Sequence, residues 1–505
     1  MRASPHVPVA AASMDELEAD PRRLSAYLGA CGSFPGYCGP LRLRRFGFGQ
    51  SNPTFLATSP THEMVIRKKP TGAVVASAHA VEREFEVISA LWAQGSVPVP
   101  EPLHLCTDSS IIGTPFFAMR PIRGRIFTDP AMPSLEPAER SDCYADALRV
   151  LGLIHDTPLA GAGLSDFGRD GGAGYYSRQL RRLAAVARAQ SSAAGRQRGG
   201  GDDETAGAAL GDGGAGGGRG AGSGVQAGGG SGGGSGGGSG GGSGGGSGGG
   251  SGGGSGVQAG GGSGGQASAS AGGMAPPLPG LDAMVAWFGR RLPTGSGCLV
   301  HGDFKIDNLV FHPTLPRVVA VLDWELSTLG HPLADLANFC GMFAFPRSAG
   351  APARLQSRVR YPAAAGLLVA GEATSPALGD RIRAVAPEAV AQWDRAQAVL
   401  GGRAAGRVEG LAGADLDGSG VPDEDAILTR YASTRKGAMP MSDWAFAKAF
   451  LLFKYSVIAQ GLADRAARGV ASSKHAAKLG AMAPLIAGMA QDAMDAADSD
   501  RASRL

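Results

Sequence analysis

The fold of this chain is decided by Leu299–Phe339, which reads LVHGDFKIDNLVFHPTLPRVVAVLDWELSTLGHPLADLANF. Three short runs of apolar and β-branched residues predict strands at Cys298–Val300, Leu309–Phe311 and Val318–Leu322. A polar loop separates the first two strands, and a proline-containing turn separates the last two. The polar residues that follow these strands would therefore lie close together on one rim.

Four polar residues of this stretch have the chemistry that phosphoryl transfer requires, because that reaction depends on positioning and charge neutralisation. Asp303 fits the catalytic carboxylate that orients an acceptor hydroxyl and takes its proton. Asn308 and Asp323 fit the hard oxygen ligands that hold Mg²⁺ on the phosphates of ATP. Lys305 follows Asp303 by two residues and is within reach of the γ-phosphate.

The spacing of HGDFKIDN, residues 301–308, matches the H-x-D-x(4)-N catalytic loop of protein kinases. With glycine after histidine it resembles the aminoglycoside phosphotransferase (APH, choline kinase-like) family, and LDWE stands where protein kinases have DFG. The resemblance is closest to the phosphotransferase-like N-terminal domain of certain acyl-CoA dehydrogenases, which carry relatives of VLDWELSTLGHPLADLA and FGFGQSNPTF. It implies an α+β, protein-kinase-like two-lobed fold with a small antiparallel β-sheet N-lobe and a helical C-lobe.

A glycine-containing turn precedes the strand predicted at Thr54–Thr58. Its backbone N–H groups could approach the nucleotide phosphates closely, although a plain hairpin turn is the alternative. We predict cofactor-binding residues there at Gly47, Gly49, Ser51 and Asn52.

The strand predicted at Glu63–Arg67 resembles the V-A-I-K strand of kinases, with Arg67 in the lysine position. Arginine also binds phosphate, but the adjacent Lys68 and Lys69 leave open which cation meets ATP. In the next predicted helix, the resemblance implies that Glu84 pairs with this cation, and Glu86 is the alternative. The alternative interpretation is that Arg67 belongs to a solvated, basic end of the strand and that Glu84 is a surface charge.

The predicted strand that ends near Met119 resembles the strand leading into the hinge of kinases, where backbone groups hold adenine. A core strand is the alternative. Further along, Tyr176, Arg178 and Gln179 resemble a Y-x-R-Q element that could face substrate, or could simply begin a helix. Lys454 and Gln460, on a strong predicted helix, could border the acceptor pocket.

Composition distinguishes the segments predicted to fold from two predicted insertions. A Gly/Ser-rich chain buries little apolar surface, so it adds little to a folded core. The 505 residues include 83 glycines, many of them in one block of GGGS units. The predicted segments are an N-terminal tail with a short helix (1–40), the N-lobe (41–120), the C-lobe (121–495) with insertions at 191–273 and about 348–407, and a C-terminal tail (496–505).

A net charge of +3 does not indicate nucleic acid as a partner. The sequence has no apolar run long enough to predict a membrane span. The six cysteines form no C-x-x-C pair and predict reduced thiols. The sequence ends in Ser503-Arg504-Leu505, which resembles a peroxisomal address. We therefore expect the protein to be located in the peroxisome, with the cytoplasm or the mitochondrion as alternatives.

These patterns predict an ATP- and Mg²⁺-dependent phosphotransferase acting on a hydroxyl of a small molecule. The resemblance suggests a hydroxy fatty acid or hydroxyacyl-CoA as acceptor, and a separate acyl-CoA dehydrogenase as a possible partner. The alternatives are a protein kinase, against which no A-P-E element follows LDWE, and a non-catalytic nucleotide- or acyl-CoA-binding module.

Overall fold

The N-terminal lobe is built on an antiparallel sheet with strand order β1-β2-β3-β5-β4. The computed structural model describes residues 20–46, 52–70, 81–196, 277–295, 297–345, 410–412, 414, 416–436, 441–469 and 476–502. The strands of the sheet are β1 (Arg42–Arg45), β2 (Thr54–Thr58), β3 (Glu63–Lys68), β4 (Pro102–Cys106) and β5 (Phe116–Met119).

Alternation along β3 divides its side chains between two helices, because successive residues of a strand point to opposite faces. Met64 and Ile66 pack in one cluster with Leu24 and Leu28 of helix α1 (Pro21–Ala30). The opposite face carries helix α2 (Val81–Gln94), whose apolar residues pack with Phe117 of β5. Arg67 is on the α2 face, and the sheet therefore positions it toward that helix.

The chain leaves the sheet after β5 and crosses to the larger lobe at Gly124 and Arg125. Arg125 exchanges two backbone hydrogen bonds with Phe311, of 2.7 and 2.8 Å. A side chain at Gly124 would collide with the carbonyl oxygen of Phe311. Glycine thus permits the close approach that joins the lobes.

The larger lobe contains most of the helices and two small antiparallel strand pairs. Strand β6 (Cys298–Val300) pairs with β9 (Thr328–Gly330), and β7 (Leu309–Phe311) pairs with β8 (Val318–Val321). The helices are α3 (Pro137–His155), α4 (Tyr175–Arg196), α5 (Leu281–Gly289), α6 (Pro332–Cys340), α7 (Glu424–Thr434), α8 (Trp444–Ala467), α9 (Ala476–Gly480) and α10 (Ala483–Ala502).

Two apolar clusters support these elements. The first extends from α2 and β5 through α3 to the strands β6–β8, and it includes Phe304 and Trp324 from the loops between them. The second surrounds the aromatic face of α8, where Phe446, Phe450 and Phe453 contact Phe288 of α5. The apolar residues of the catalytic loop therefore belong to the first of these clusters.

The two-lobed α+β fold predicted from the sequence is confirmed, and several boundaries differ. Strand β9 was not predicted, because Thr328-Leu329-Gly330 contains one apolar residue and ends in glycine, unlike the apolar runs of β6 and β7. The C-terminal helical segment is divided into α9 and α10. At the break, Gly480 packs so closely against Ala463 of α8 that a side chain would collide with its backbone. All six cysteines are unpaired, as predicted.

One described helix, α8, is long and apolar enough to cross a membrane by length and composition. However, 67% of its most apolar window is buried inside the protein, as is also typical of a core helix. The predicted absence of a membrane span stays a prediction. Both predicted insertions lie largely outside the described residues, and the C-terminal tripeptide 503–505 lies entirely outside them.

Candidate active site

The turn that begins the catalytic loop is held by one buried carboxylate. Asp335, in the first turn of α6, accepts hydrogen bonds from the backbone N–H groups of His301 (2.6 Å) and Gly302 (2.7 Å). Gly302 has a φ of 85°, a left-handed conformation that favours glycine. The sequence HGD is therefore bent by an acceptor from a helix 33 residues away in the chain, measured from Gly302.

A second contact to Asp335 comes from His155 at the end of α3, whose Nε2 lies 3.1 Å from the carboxylate. The Nδ1 atom of the same ring is bonded to the hydroxyl of Tyr431. Burial lowers the pKa of His155 although Asp335 opposes this, so the ring is neutral near pH 7 and Nε2–H donates to the carboxylate. Burial alone would raise the pKa of Asp335, but the donors from His155 and His301 give a net lowering.

The imidazole of His301 connects the catalytic loop to the end of β8. Its Nε2 donates to the carbonyl oxygen of Leu322 (2.9 Å), and its Nδ1 accepts from the backbone N–H of Asp303 (3.2 Å). Asp323 follows Leu322 directly. The ring therefore fixes the distance between the residues predicted as base and as metal ligand.

The carboxylate of Asp303 is oriented by two amide groups. Its Oδ1 accepts from Asn338 Nδ2 and its Oδ2 from Asn308 Nδ2, each at 3.2 Å. Lys305 Nζ lies 3.4 Å from the same Oδ2. The Asp303 side chain keeps 28% of its surface exposed, so a bound hydroxyl can still reach it. Asp303, Lys305 and Asn308 are thus brought together as predicted.

The second half of the site is a buried cluster of charges between the lobes. Arg67 Nε donates to Glu84 Oε2 at 2.8 Å, and Arg67 Nη2 lies 2.5 Å from Asp323 Oδ1. The predicted pairing with Glu84 is therefore present, and Glu86 is exposed. Lys68 points to the other face of the sheet, where its Nζ contacts the carbonyl oxygen of Ile112 at 3.5 Å.

This cluster contains more negative than positive charge. Glu325 Oε2 is 3.7 Å from Arg67 Nη2, so three carboxylates surround one guanidinium. Burial raises the pKa of Glu84 to about 7, Arg67 opposes this, and Asp323 and Glu325 add to it. Burial would lower the pKa of Arg67, but the three carboxylates raise it overall.

The donor set at Asn308 and Asp323 fits Mg²⁺. Asp323 has φ 68° and ψ 61°, a left-handed conformation that is uncommon outside glycine and concentrated at functional sites. The Asn308 Nδ2 group is engaged with Asp303, so its amide oxygen is on the opposite side of the group. A divalent cation on these two oxygens would offset the excess negative charge around Arg67. Among the described residues no cluster of three or more acidic, His or Cys side chains forms a metal site, so further ligands would come from the nucleotide or water.

The remaining predicted cofactor residues are only partly placed. Gly47, Gly49 and Ser51 lie outside the described residues. Asn52 is fully buried and donates through Nδ2 to Glu325 Oε2 at 3.1 Å, so it joins the charge cluster. Met119 is half-buried at the end of β5, two residues beyond Phe117, the partner of Arg67 in the sheet. The predicted roles of these residues stay predictions.

Two site residues were missed by the sequence reasoning. Asn338 is three residues after Asp335 on α6, and positions i and i+3 share one helix face, so the spacing was an available signal. Glu325 follows Asp323 by two residues, and no spacing rule distinguishes it from an exposed charge. Only the tertiary structure brings it to Arg67 and Asn52.

A small cavity adjoins the catalytic loop on the side of α4 and α8. Its lining includes two residues of the Y-x-R-Q element, Tyr176 and Gln179, together with Arg182, Gly302 and Lys454. Arg178 is not part of this lining. Of the two residues predicted to border an acceptor pocket, Lys454 is part of this lining and Gln460 is not, and the role stays a prediction.

Comparison with known families gives one match over more than half of the chain. The phosphotransferase enzyme family (APH) matches residues 42–200 and 267–369. In solved structures, the chain resembles a protein from Ralstonia eutropha JMP134 that is described as a candidate aminoglycoside phosphotransferase. The two are 26% identical with a TM-score of 0.58, and the match covers 94% of this chain and 98% of that one.

Two curated relatives have longer chains. Acyl-CoA dehydrogenase family member 11 from Rattus norvegicus is 32% identical over 65% of this chain and 32% of its own length. Acyl-CoA dehydrogenase family member 10 from Mus musculus is 28% identical over 90% of this chain and 29% of its own length. The chain therefore spans about a third of the length of these relatives.

Proposed function

The chain belongs to the phosphotransferase enzyme family, and on that basis we propose that it transfers the γ-phosphoryl group of ATP to a hydroxyl of a small molecule. One observation carries the proposal. Asp303 and Asn308 of the catalytic loop are bonded to each other, and the backbone of Asn308 accepts from Leu322, whose neighbour Asp323 is bonded to the buried Arg67–Glu84 pair. This arrangement supplies a base, oxygen ligands for a cation and a fixed positive charge, as phosphoryl transfer requires.

Each residue of the arrangement has a distinct proposed role. Asp303 would accept a hydrogen bond from the acceptor hydroxyl and take its proton as the oxygen attacks. Asn308 and Asp323 would hold Mg²⁺, which supplies charge neutralisation on the phosphates when bound. Arg67, with Glu84 fixing its guanidinium, would contact the phosphates of ATP.

Lys305 is proposed to meet the transferred phosphoryl group. Burial would lower its pKa, but the carboxylates of Asp303 and Asp307 outweigh that effect and raise it. The side chain therefore stays a cation at neutral pH. Its 3.4 Å distance to Asp303 places that charge directly beside the proposed base.

The acceptor is proposed to be a hydroxy fatty acid or its CoA ester. The names of the relatives, acyl-CoA dehydrogenase family members 10 and 11, support this class, since the matched region is part of proteins named for acyl-CoA oxidation. Family membership alone does not select between this class and aminoglycosides.

The test is a mass-spectrometric assay with Mg-ATP and a panel of hydroxy acids, hydroxyacyl-CoAs and aminoglycosides. Asp303→Asn removes the base while keeping the shape of the side chain, and we expect kcat to fall about 10²- to 10⁴-fold. Asp282→Asn is the matched control, because Asp282 is 86% exposed on α5 and outside the site. Its rate should equal that of the wild type.

The outcomes separate the proposed function from its alternatives. A phosphorylated small molecule that is absent with Asp303→Asn would support the proposal. Phosphate on peptides only would favour a protein kinase. Binding of Mg-ATP without transfer to any acceptor, equal in both variants, would contradict the proposal and favour a non-catalytic nucleotide-binding module.

A further inference from the structure

The cavity beside the catalytic loop has a size suited to one polar group. Its volume is about 80 Å³, whereas a complete ligand pocket is typically several hundred Å³. Gly302 of the catalytic loop and Leu326 line it together with Tyr176 of α4. The cavity is thus a subsite next to Asp303, not a whole binding pocket.

The charge of the lining is positive. It includes two cations, Arg182 and Lys454, and no carboxylate. Lys454 Nζ donates to Gly302 O at 3.2 Å, and neither cation forms an ion pair within the described part of the chain. Burial lowers the pKa of Lys454, and the attraction of Asp303 and Asp335 offsets this effect only in part, while Arg182 adds a smaller repulsion.

Two buried donors of the cavity lack partners. Neither Arg182 Nε nor the hydroxyl of Tyr176 has a hydrogen-bond partner among the residues that the structure describes, and both atoms are buried. Tyr176 as a whole is 4% exposed. Buried polar groups without partners are rare, and these two donors are therefore available to a group bound in the cavity. The first turn of α4, which contains Tyr176, has no acidic residue to neutralise its positive end.

We propose that this cavity binds an anionic group of the phosphate acceptor, which Arg182 and Lys454 pair with and Tyr176 donates to. The inference rests on the proposed phosphotransferase function and narrows its substrate class. The acceptor is then a hydroxylated compound bearing a carboxylate or phosphate. A polycationic aminoglycoside would place like charges against the lining.

The test compares ligands that share one hydroxyl and differ in charge. Binding of 3-hydroxyoctanoate, its methyl ester, its CoA ester and kanamycin is measured by calorimetry in saturating Mg-ADP. The variants are Arg182→Gln, Arg182→Lys and the matched control Arg188→Gln, whose side chain is on the same helix and pairs with exposed Asp282. Thermal unfolding confirms that each variant is folded.

We expect the wild type and Arg188→Gln to bind the acid or the CoA ester at least 10-fold more tightly than the methyl ester. Arg182→Gln should lose about 10- to 100-fold in affinity, as expected for a lost charge-assisted hydrogen bond, and Arg182→Lys should recover part of it. Binding of the free acid would identify the carboxylate as the anion. Binding of the CoA ester alone would identify the CoA phosphates.

Equal affinity for acid, CoA ester and methyl ester would overturn the inference, as would kanamycin as the preferred ligand or no binding of any anionic probe. The ligand comparison uses the wild type, so it is decisive even if a variant unfolds. Phosphate transfer is measured separately on the same panel. Transfer to the methyl ester or kanamycin that is as efficient as transfer to the acid and the CoA ester would leave the kinase proposal standing and remove the anion subsite. Anion binding that depends on Arg182, without phosphate transfer to any acceptor, would support the anion subsite and contradict the kinase proposal.

Discussion

Arg67 shows how a single side chain joins the halves of the site. Its guanidinium contacts Glu84 of α2 and Asp323 after β8, so it links the small lobe to the catalytic stretch. A lysine carries its three N–H donors on one nitrogen, whereas Arg67 donates from two separate nitrogens, Nε and Nη2, in a fixed planar geometry. We infer that arginine suits this position because both carboxylates must be held at once.

Removing Arg67 should strongly destabilise the protein, because Glu84 would be left buried without a partner. For Arg67→Met we expect the free energy of unfolding to fall by about 3–5 kcal/mol, measured by urea denaturation. Adding Glu84→Gln should restore part of the loss, since the second substitution removes the unpaired acid. Glu86→Gln, on the exposed face of the same helix, is the control and should change stability by less than about 0.5 kcal/mol. A small effect of Arg67→Met would contradict this account of the ion pair.

At the scale of elements, helix α6 organises the catalytic loop. Asp335 holds the backbone of the HGD turn and Asn338 holds Asp303, both from one face of the helix. Its start depends on His331, whose Nδ1 accepts from the backbone N–H of Leu333 at 3.3 Å. An imidazole can act as this cap only while Nδ1 is unprotonated.

The cap predicts a pH dependence of stability. Burial, with a smaller effect of His155, lowers the pKa of His331 to about 4 from its ordinary value of 6.5. Because the unfolded state binds a proton at His331 more readily than the folded state, the neutral ring contributes its full stability to the fold above pH 6.5. This contribution is lost as the pH falls from 6.5 toward 4. His331→Asn keeps a cap that does not titrate. Between pH 7.5 and 5, the wild type should lose about 2 kcal/mol more than this variant.

Urea denaturation at several pH values measures this difference. Part of the slope should remain in His331→Asn, because the lowered pKa of His155 acts in the same direction. His312→Asn, in the turn between β7 and β8, is the control and should keep the wild-type slope. Parallel pH profiles for all three proteins would show that protonation of His331 is not coupled to folding.

At the scale of the whole molecule, the lobes are joined at a covalent crossing and by contacts across the site. The crossing depends on Gly124 and on the backbone pairing of Arg125 with Phe311. Across the site, Arg83 of α2 donates to the carbonyl oxygens of Phe167 (3.2 Å) and Ser327 (3.4 Å). The Gly/Ser units at 228–255, by contrast, contain no apolar side chain that could join either core.

Deletion of residues 228–255 should therefore leave the fold and its activity intact. The entropy of loop closure depends only weakly on length, so we expect the free energy of unfolding to change by less than about 1 kcal/mol. Urea denaturation and Mg-ADP binding measure the result. Gly124→Val is the contrasting variant and should cost about 1–3 kcal/mol, because its side chain would collide with Phe311. A deletion as damaging as Gly124→Val would show that these residues contribute to the folded structure.

The two-lobed fold followed from the resemblance of the sequence to a known family, and the sequence by itself determined the strands around HGDFKIDN and the candidate residues Asp303, Asn308 and Asp323. Local spacing carries this information: Asp303 and Asn308 share one loop, and β-branched runs specify their own strands. Only the tertiary structure decided which cation meets Glu84, because the choice between Arg67 and Lys68 depends on which face of β3 packs against α2. It also decided the roles of Glu325, Asn338 and Arg182, whose partners are distant in sequence. Such contacts depend on how helices and strands pack, and local patterns do not encode them.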